Sequence, residues 1–174
     1  GLFLEERSND ASGSVVCACL EGNRPILVEV QALVAKTPYG MPRRTAVGFD
    51  YNRVTMLLAI LERRLGMDFG AYDAYVNVVG GMRVTEPAAD LAVAAALVSS
   101  YRNRPIPHGV LVMGEVGLTG EVRRIGSPER RIKDAMNLGF KRFVLPMGKL
   151  SLDEPCNGIV QVKTLEEALD KVFA

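Results

Sequence analysis

The 174-residue chain is informative first through what it does not contain. No stretch approaches the roughly 18 uninterrupted apolar residues that a membrane-spanning helix requires, so no membrane span is expected. The first residues show no basic start followed by an apolar run, which excludes a secretory leader in this stretch. The phosphate loop G-x-x-x-x-G-K-[ST] is missing, so the chain itself is not expected to bind ATP. A G-x-S-x-G nucleophile elbow is missing as well. The single histidine, His108, is read as an ordinary loop residue. Cys17, Cys19 and Cys156 form no C-x-x-C spacing and have no histidine cluster beside them, which argues against a zinc site. Their odd number without a disulfide framework fits a reducing, cytoplasmic compartment. There is no internal repeat and no low-complexity tract.

What is present describes a globular domain. Hydrophobic residues make up 48% and charged residues 24% of the chain, enough apolar material for a core without disulfides or metal. The formal net charge of +1 imposes no global field toward nucleic acid or membrane. Arginine dominates the cations and comes in doublets: Arg43-Arg44, Arg63-Arg64, Arg123-Arg124 and Arg130-Arg131. A guanidinium contacts phosphate in a bidentate way, although a solvated surface face is the better explanation of any single doublet.

Residues 1–13 read as a linker, and residues 14–174 as one domain. SVVCACL and PILVEVQALV, separated by Glu21-Gly22-Asn23-Arg24, predict a hairpin, with Cys17 and Cys19 on one face of its first strand. TPYGMPRR is a Pro/Gly-rich loop and RTAVGF a third strand. Over 51–65, Val54, Leu57, Leu58 and Leu61 repeat at helical spacing, with Asp50 as N-cap and Gly66 as stop. AYVNVVGG predicts a strand. The alanine-rich EPAADLAVAAALVSSYRN predicts a helix apolar nearly all round and therefore buried. GVLVMGEVGLTGEVRRIG reads as a strand, a Gly-rich reversal and a returning strand. Ser127 is expected to cap the next helix through its hydroxyl, with Pro128 in the first position, Ile132, Ala135 and Met136 on the inner face and Gly139 at the end. FKRFVLP and GIVQVKT predict strands, and Thr164-Leu165-Glu166-Glu167 is a capping box opening a last helix. Hairpins followed by alternating strands and helices imply an α+β or mixed α/β sandwich.

Within this frame lies a longer pattern. Glu86-Pro87-Ala88-Ala89-Asp90 is followed by Asn103-Arg104-Pro105 and by Met113-Gly114-Glu115-Val116-Gly117-Leu118-Thr119-Gly120-Glu121-Val122. Ile125-Gly126-Ser127-Pro128-Glu129-Arg130-Arg131, Gly139 and Val144-Leu145-Pro146 continue it. In order, spacing and turn residues, the stretch from Val79 to Pro146 resembles the Lon-type proteolytic domain. That resemblance implies an α+β fold of the Lon proteolytic-domain type (ribosomal protein S5 domain 2-like), a mixed sheet with packed helices. It also implies a serine–lysine dyad, whose serine position is Ala88 here and whose lysine position is Arg131. Alanine carries no nucleophile, and arginine keeps its proton and cannot serve as the base. Ser127 and Lys133 do not replace the dyad, because Ser127 is assigned to a helix end and Lys133 lies about 200° around the helix from Arg131.

Arg24-Pro25, Leu27 to Val34, Pro42 to Gly48, Asn52-Arg53 and Val76 to Gly81 extend the likeness to residues 14 to 173. They resemble the version of this domain found in RecA-like, ATP-driven proteins of DNA repair and branch migration. In that family an ATPase core and a zinc finger precede this domain. ATP, Mg and Zn would belong to those parts, and no cofactor is expected in this stretch, which begins without Met and is read as a fragment. The resemblance further implies a homo-oligomer, a hexameric ring, and the first expectation is that this ring acts as a scaffold and binds single- or double-stranded DNA without reading its sequence. Six copies of each arginine around one axis would concentrate a modest per-chain charge. The candidate phosphate contacts are Arg24, Arg43, Arg44, Arg53, Arg83 and Arg123, which fall at turns and element ends. The competing expectations are a docking or oligomerisation platform that ignores DNA, and a peptidase with an unrecognised site.

Overall fold

The computed structural model of the chain describes residues 11–38 and 40–174; most of the expected linker, residues 1–10, lies outside them. Strands β1 (Ser14–Glu21) and β2 (Arg24–Lys36) form the opening hairpin, with Glu21 directly opposite Arg24. The two-residue turn between them puts Gly22 at φ +62°. A positive φ at the first central residue matches the right-handed twist of the flanking strands, which is why glycine stands there. Next come β3 (Arg44–Val47), helix α1 (Tyr51–Leu65), β4 (Tyr72–Val78), a 3₁₀ turn (Pro87–Ala89) and α2 (Asp90–Arg102). The chain continues through β5 (Val110–Val112), β6 (Glu115–Val116), β7 (Val122–Arg123), α3 (Pro128–Asn137), β8 (Arg142–Pro146), β9 (Ile159–Val162) and α4 (Leu165–Phe173).

Seven strands form one sheet in the order β3-β4-β2-β1-β5-β8-β9, and β6 and β7 form a separate hairpin. The pairings β1–β2 and β2–β4 are antiparallel, whereas β3–β4, β1–β5, β5–β8 and β8–β9 are parallel. This is the mixed α+β architecture that the element pattern implied. β1 sits centrally, and its two alternating sets, Val15/Cys17/Cys19 and Ser14/Val16/Ala18, are both buried, as a strand covered on two faces requires. β2 is amphipathic along its middle: Val28, Val30 and Ala32 are buried, while Gln31 and Leu33 are exposed.

Helix α2 packs on β1 and β2 and contacts α1. Every residue from Asp90 to Ser99 is buried, as its all-round apolar sequence predicted. The buried carboxylate at its start is met by Arg53 of α1, whose Nε donates to Oδ1 at 2.8 Å and whose Nη2 pairs with Oδ2; the Val116 N–H adds a third donor at 3.1 Å. Burial pushes the Asp90 carboxyl up, and the Arg53 hydrogen bonds pull against it.

The helix ends follow the sequence with one correction. Asp50 accepts the Asn52 N–H at 2.8 Å, and Gly66, at φ +68°, closes α1 by donating to the Glu62 carbonyl. Thr164 accepts the Glu167 N–H at 3.1 Å, while the Glu167 carboxylate reaches back to the Lys163 N–H at 2.8 Å. Ser127 does not cap α3 through its hydroxyl. Its backbone is left-handed (φ 54°, ψ 50°) and no side-chain cap bond forms. A serine cap needs an extended N-cap residue to aim the oxygen at the first-turn N–H groups. Here the Ser127 carbonyl accepts from the Arg131 N–H, and Pro128 supplies the fixed φ of the first position.

Replacing Asp50 with alanine removes the α1 cap and is expected to cost about 1 kcal/mol. Urea unfolding should show a lower midpoint with an unchanged slope, because Asp50 is exposed and contributes no core packing.

Candidate functional site

Arg131 lies on the inward face of α3 with Ile132 and Ala135 and is only 1% exposed. A buried guanidinium must find partners for its fixed fork of N–H donors. Nε donates to the Gly126 carbonyl and Nη1 to the Ala18 carbonyl, both at 2.8 Å. Both terminal nitrogens pair with Glu86, Nη1 with Oε1 and Nη2 with Oε2 at 3.1 Å. Glu86 Oε1 also accepts the Leu20 N–H at 2.8 Å.

This arrangement follows from the sheet topology. β1 pairs with β5 at a single register position, Val16 with Leu111. Beyond Val16 that edge of β1 has no strand partner among the described residues, yet it is buried. Its polar groups are satisfied by side chains instead: Arg131 takes the Ala18 carbonyl and Glu86 the Leu20 amide. The ion pair completes the sheet where strand pairing stops.

Ala88 follows Glu86 by two residues and is 4% exposed. Its carbonyl accepts the Gly114 N–H at 2.8 Å and lies 3.8 Å from the Cys17 sulfur. Glycine is required at 114 by close approach, since a Cβ there would fall 2.8 Å from Cγ1 of Val122. Ala88 and Arg131, the residues that the Lon-type resemblance assigns to the serine and lysine positions, thus both lie against the middle of β1, at Cys17 and Ala18. Cys17 is the nearest nucleophile, but the neighbouring Cys19 thiol and burial both push its pKa up, against the pull of Arg131. It stays a thiol and packs as a small apolar side chain.

The six candidate phosphate contacts do not form one cluster. Arg24 is exposed at the β1–β2 turn. Arg83 is exposed nearby, on the rim of a cleft of about 240 Å³ lined by Cys19–Gly22, Ile26 and Met82–Glu86. Arg130, which the sequence reading left out, joins that end, donating to the Asn23 carbonyl at 2.7 Å. Arg43 is exposed at the opposite end of the sheet. It precedes Arg44, which pairs with Ala74 and through it with Val34, roughly 33 Å along β2 from Arg24 at about 3.3 Å per residue. Arg44 itself turns inward and donates to the Tyr72 carbonyl and, at 2.8 Å, to the Phe69 carbonyl. Arg53 is held by Asp90. Arg123 is exposed but ion-paired, to Glu121 at 3.1 Å and Glu115 at 3.6 Å.

Glu86 was the important residue that sequence reasoning passed over. It stood in the quoted motif, and the signal available was chemical: an arginine on the apolar face of α3 needs a carboxylate. Lys133, by contrast, is exposed on the outer side of α3 beside Ser151–Glu154, away from Ala88 as its helical angle implied.

With this geometry in view, comparison with known proteins defines the class. Residues 30–149 match the family model described as "ChlI: Subunit ChlI of Mg-chelatase". The match covers more than half of the chain, and the chain belongs to that family. Among individual proteins, the chain is similar over nearly its whole length to DNA repair protein RadA from several bacteria. It is 47% identical to that of Halalkalibacterium halodurans over 97% of this chain, 49% identical to that of Pseudomonas aeruginosa over 99%, and 48% identical to that of Bacillus subtilis over 97%. It spans only 37–38% of the length of these relatives. These findings bear out the resemblance to a domain of DNA repair proteins. No helix among the described residues is long and apolar enough to cross a membrane.

Two outcomes follow from the geometry. Glu86→Ala strands Arg131 as a buried charge and is expected to cost about 3–5 kcal/mol, whereas the paired apolar replacement Glu86→Leu/Arg131→Met should recover most of that loss in denaturant unfolding. In the β6–β7 hairpin, Glu121 accepts from Thr119 Oγ1 at 2.7 Å, from the Thr119 N–H at 3.1 Å and from Arg123. The Thr119 hydroxyl bond, foremost, lowers its pKa to about 2. Because the folded value is depressed, the Glu121 contribution to hairpin order is present above the ordinary carboxylate range and fades as pH falls toward about 2. A carboxyl NMR titration should place the midpoint near there, and Thr119→Val should move it up.

Proposed function

We propose that this chain is the Lon-like domain, without proteolytic activity, of a RadA-type DNA repair and recombination ATPase. In this reading it serves as a hexameric scaffold and a sequence-independent DNA-binding module during branch migration, in the cytoplasm. Residues 1–13 join it to an upstream ATPase, residues 14–174 form a fold of the Lon proteolytic-domain type, and ATP, Mg and Zn belong to the parts of the protein outside this chain.

The observation that carries the reading is the division among the arginines. Arg131 is sealed against Glu86 beside Ala88, in place of a base beside a nucleophile. Arg44 and Arg53 brace the interior. Arg24, Arg43 and Arg83 stay exposed, with no ion-pair partner among the described residues. Guanidinium groups held at the ends of rigid strands and loops suit phosphate contacts, which fix position without reading bases. Names of relatives that speak of DNA repair agree with a nucleic-acid partner.

A second reading, a docking platform without DNA binding, draws on the open face of the sheet, where Leu33 and Val47 are 58% and 55% exposed. Fluorescence anisotropy with a labelled duplex separates the two. Binding should weaken steeply with salt, and Arg24→Ala, Arg43→Ala or Arg83→Ala should each lower the slope of log K against log salt by about 1. Absence of binding at low salt, with the chain assembled, supports the platform instead. Hydrolysis of unfolded casein by the purified chain would overturn the non-proteolytic part.

A further inference from the structure

The loop joining β2 to β3 has a construction that the arginine division does not use. Both of its ends are tied to one buried carboxylate oxygen: Asp73 Oδ1 accepts the Thr37 hydroxyl at 3.0 Å and the Arg43 N–H at 2.7 Å. Backbone bonds reinforce the tie, from the Thr37 N–H to the Ala71 carbonyl and from the Ala74 N–H to the Arg43 carbonyl, both at 2.9 Å. Arg44 supports the base from inside through its bonds to the Tyr72 and Phe69 carbonyls. Pro38 and Pro42 fix φ at two further positions of the loop.

On this anchored loop, Met41 is 87% exposed, the most exposed large apolar side chain among the described residues. A single exposed apolar residue carries no message by itself. This one stands between Lys36 and Arg43, both exposed and without an ion pair among the described residues. The nearby acids are engaged locally, Asp73 as described and Asp68 by the Gly70 N–H at 3.0 Å. An unbranched apolar side chain between two free cations, on a loop whose ends cannot slide, matches the chemistry of proteins that push a methionine or leucine between base steps and hold the flanking phosphates.

We propose that Met41 is an apolar wedge for duplex DNA, inserted at a base step while Lys36 and Arg43 contact the phosphates on either side. The proposal rests on the DNA-binding reading above and adds to it a point of entry and a deformation of the duplex. Partial unstacking is offset by the additional contacts that a kinked duplex makes with the loop. Contact of this kind favours flexible pyrimidine–purine steps without any hydrogen bond to a base edge.

The test uses the whole chain and a duplex carrying 2-aminopurine at a central TA step. Wild-type binding should raise 2-aminopurine fluorescence through unstacking. Met41→Ala should abolish that rise and weaken binding by about tenfold, while Met41→Leu should keep both. The side chain is 87% exposed, so the urea midpoint of Met41→Ala should match wild type. If Met41→Ala binds as wild type does, with the same fluorescence change, the wedge is overturned while the phosphate contacts stand. If Arg24→Ala and Arg83→Ala weaken binding and the wild-type complex shows no fluorescence change, the wedge is again the part that fails. If wild type binds no duplex at low salt, the DNA-binding reading and the wedge fall together.

Discussion

The structure depends on one buried ion pair. Arg131 and Glu86 come from distant parts of the chain and meet where the pairing of β1 with β5 runs out. A charged pair in the interior is weak evidence of net stability, since desolvation consumes much of its Coulomb energy. Its geometric effect is less ambiguous. The pair supplies a donor to the Ala18 carbonyl and an acceptor to the Leu20 amide, so the central strand stays satisfied without a neighbour. It also binds α3 to the segment that leads into α2. Where the Lon-type resemblance would place a titrating amine, the structure has a guanidinium that braces α3 to the segment before α2.

Much of the fold was legible in the residues. The Gly22-Asn23 turn, the Asp50 and Thr164 caps, the Gly66 stop and the buried alanine-rich helix all rest on local rules, and each appears where those rules put it. Ser127 was misread because its residue type favours a hydroxyl cap, whereas its backbone turned left-handed to bring Arg131 inward. The ion pair was half legible: the sequence marked Arg131 as the residue in the lysine position, but its partnership with Glu86 depends on a sheet edge that only the three-dimensional topology creates. The arginine set shows the same limit. Sequence placed all six at element ends, yet Arg53 and Arg44 turn inward to Asp90 and to the Tyr72 and Phe69 carbonyls, partners distant in the chain, while Arg123 stays exposed and pairs with Glu121 and Glu115.

Arg24 and Arg83 are exposed toward one end of the sheet and Arg43 toward the other. In the proposed DNA-binding reading, such a surface would address an extended polyanion at separated points. In the ring proposed for the assembled protein, each copy would offer one contact at the turn of its first hairpin and another at its proline-containing loop. Phosphate contacts at those two places would fix the position of a duplex without hydrogen-bonding to its base edges.

The last helix illustrates how late the domain completes itself. Arg104 donates to the Phe173 carbonyl at 3.0 Å and lies 5.0 Å over its ring, while Arg142 donates to the Lys171 and Ala174 carbonyls. Upstream of this helix, the Lys163 carbonyl accepts the Val122 N–H, and the Leu165 N–H donates to the Gly120 carbonyl. During synthesis on the ribosome, the backbone of the β6–β7 hairpin and the Arg104 guanidinium therefore wait for residues some forty to seventy positions downstream before these partners are present. The hydrogen bonds of the first hairpin and of α1 are local in the chain, whereas these groups in the middle of the domain find their partners only with the last helix.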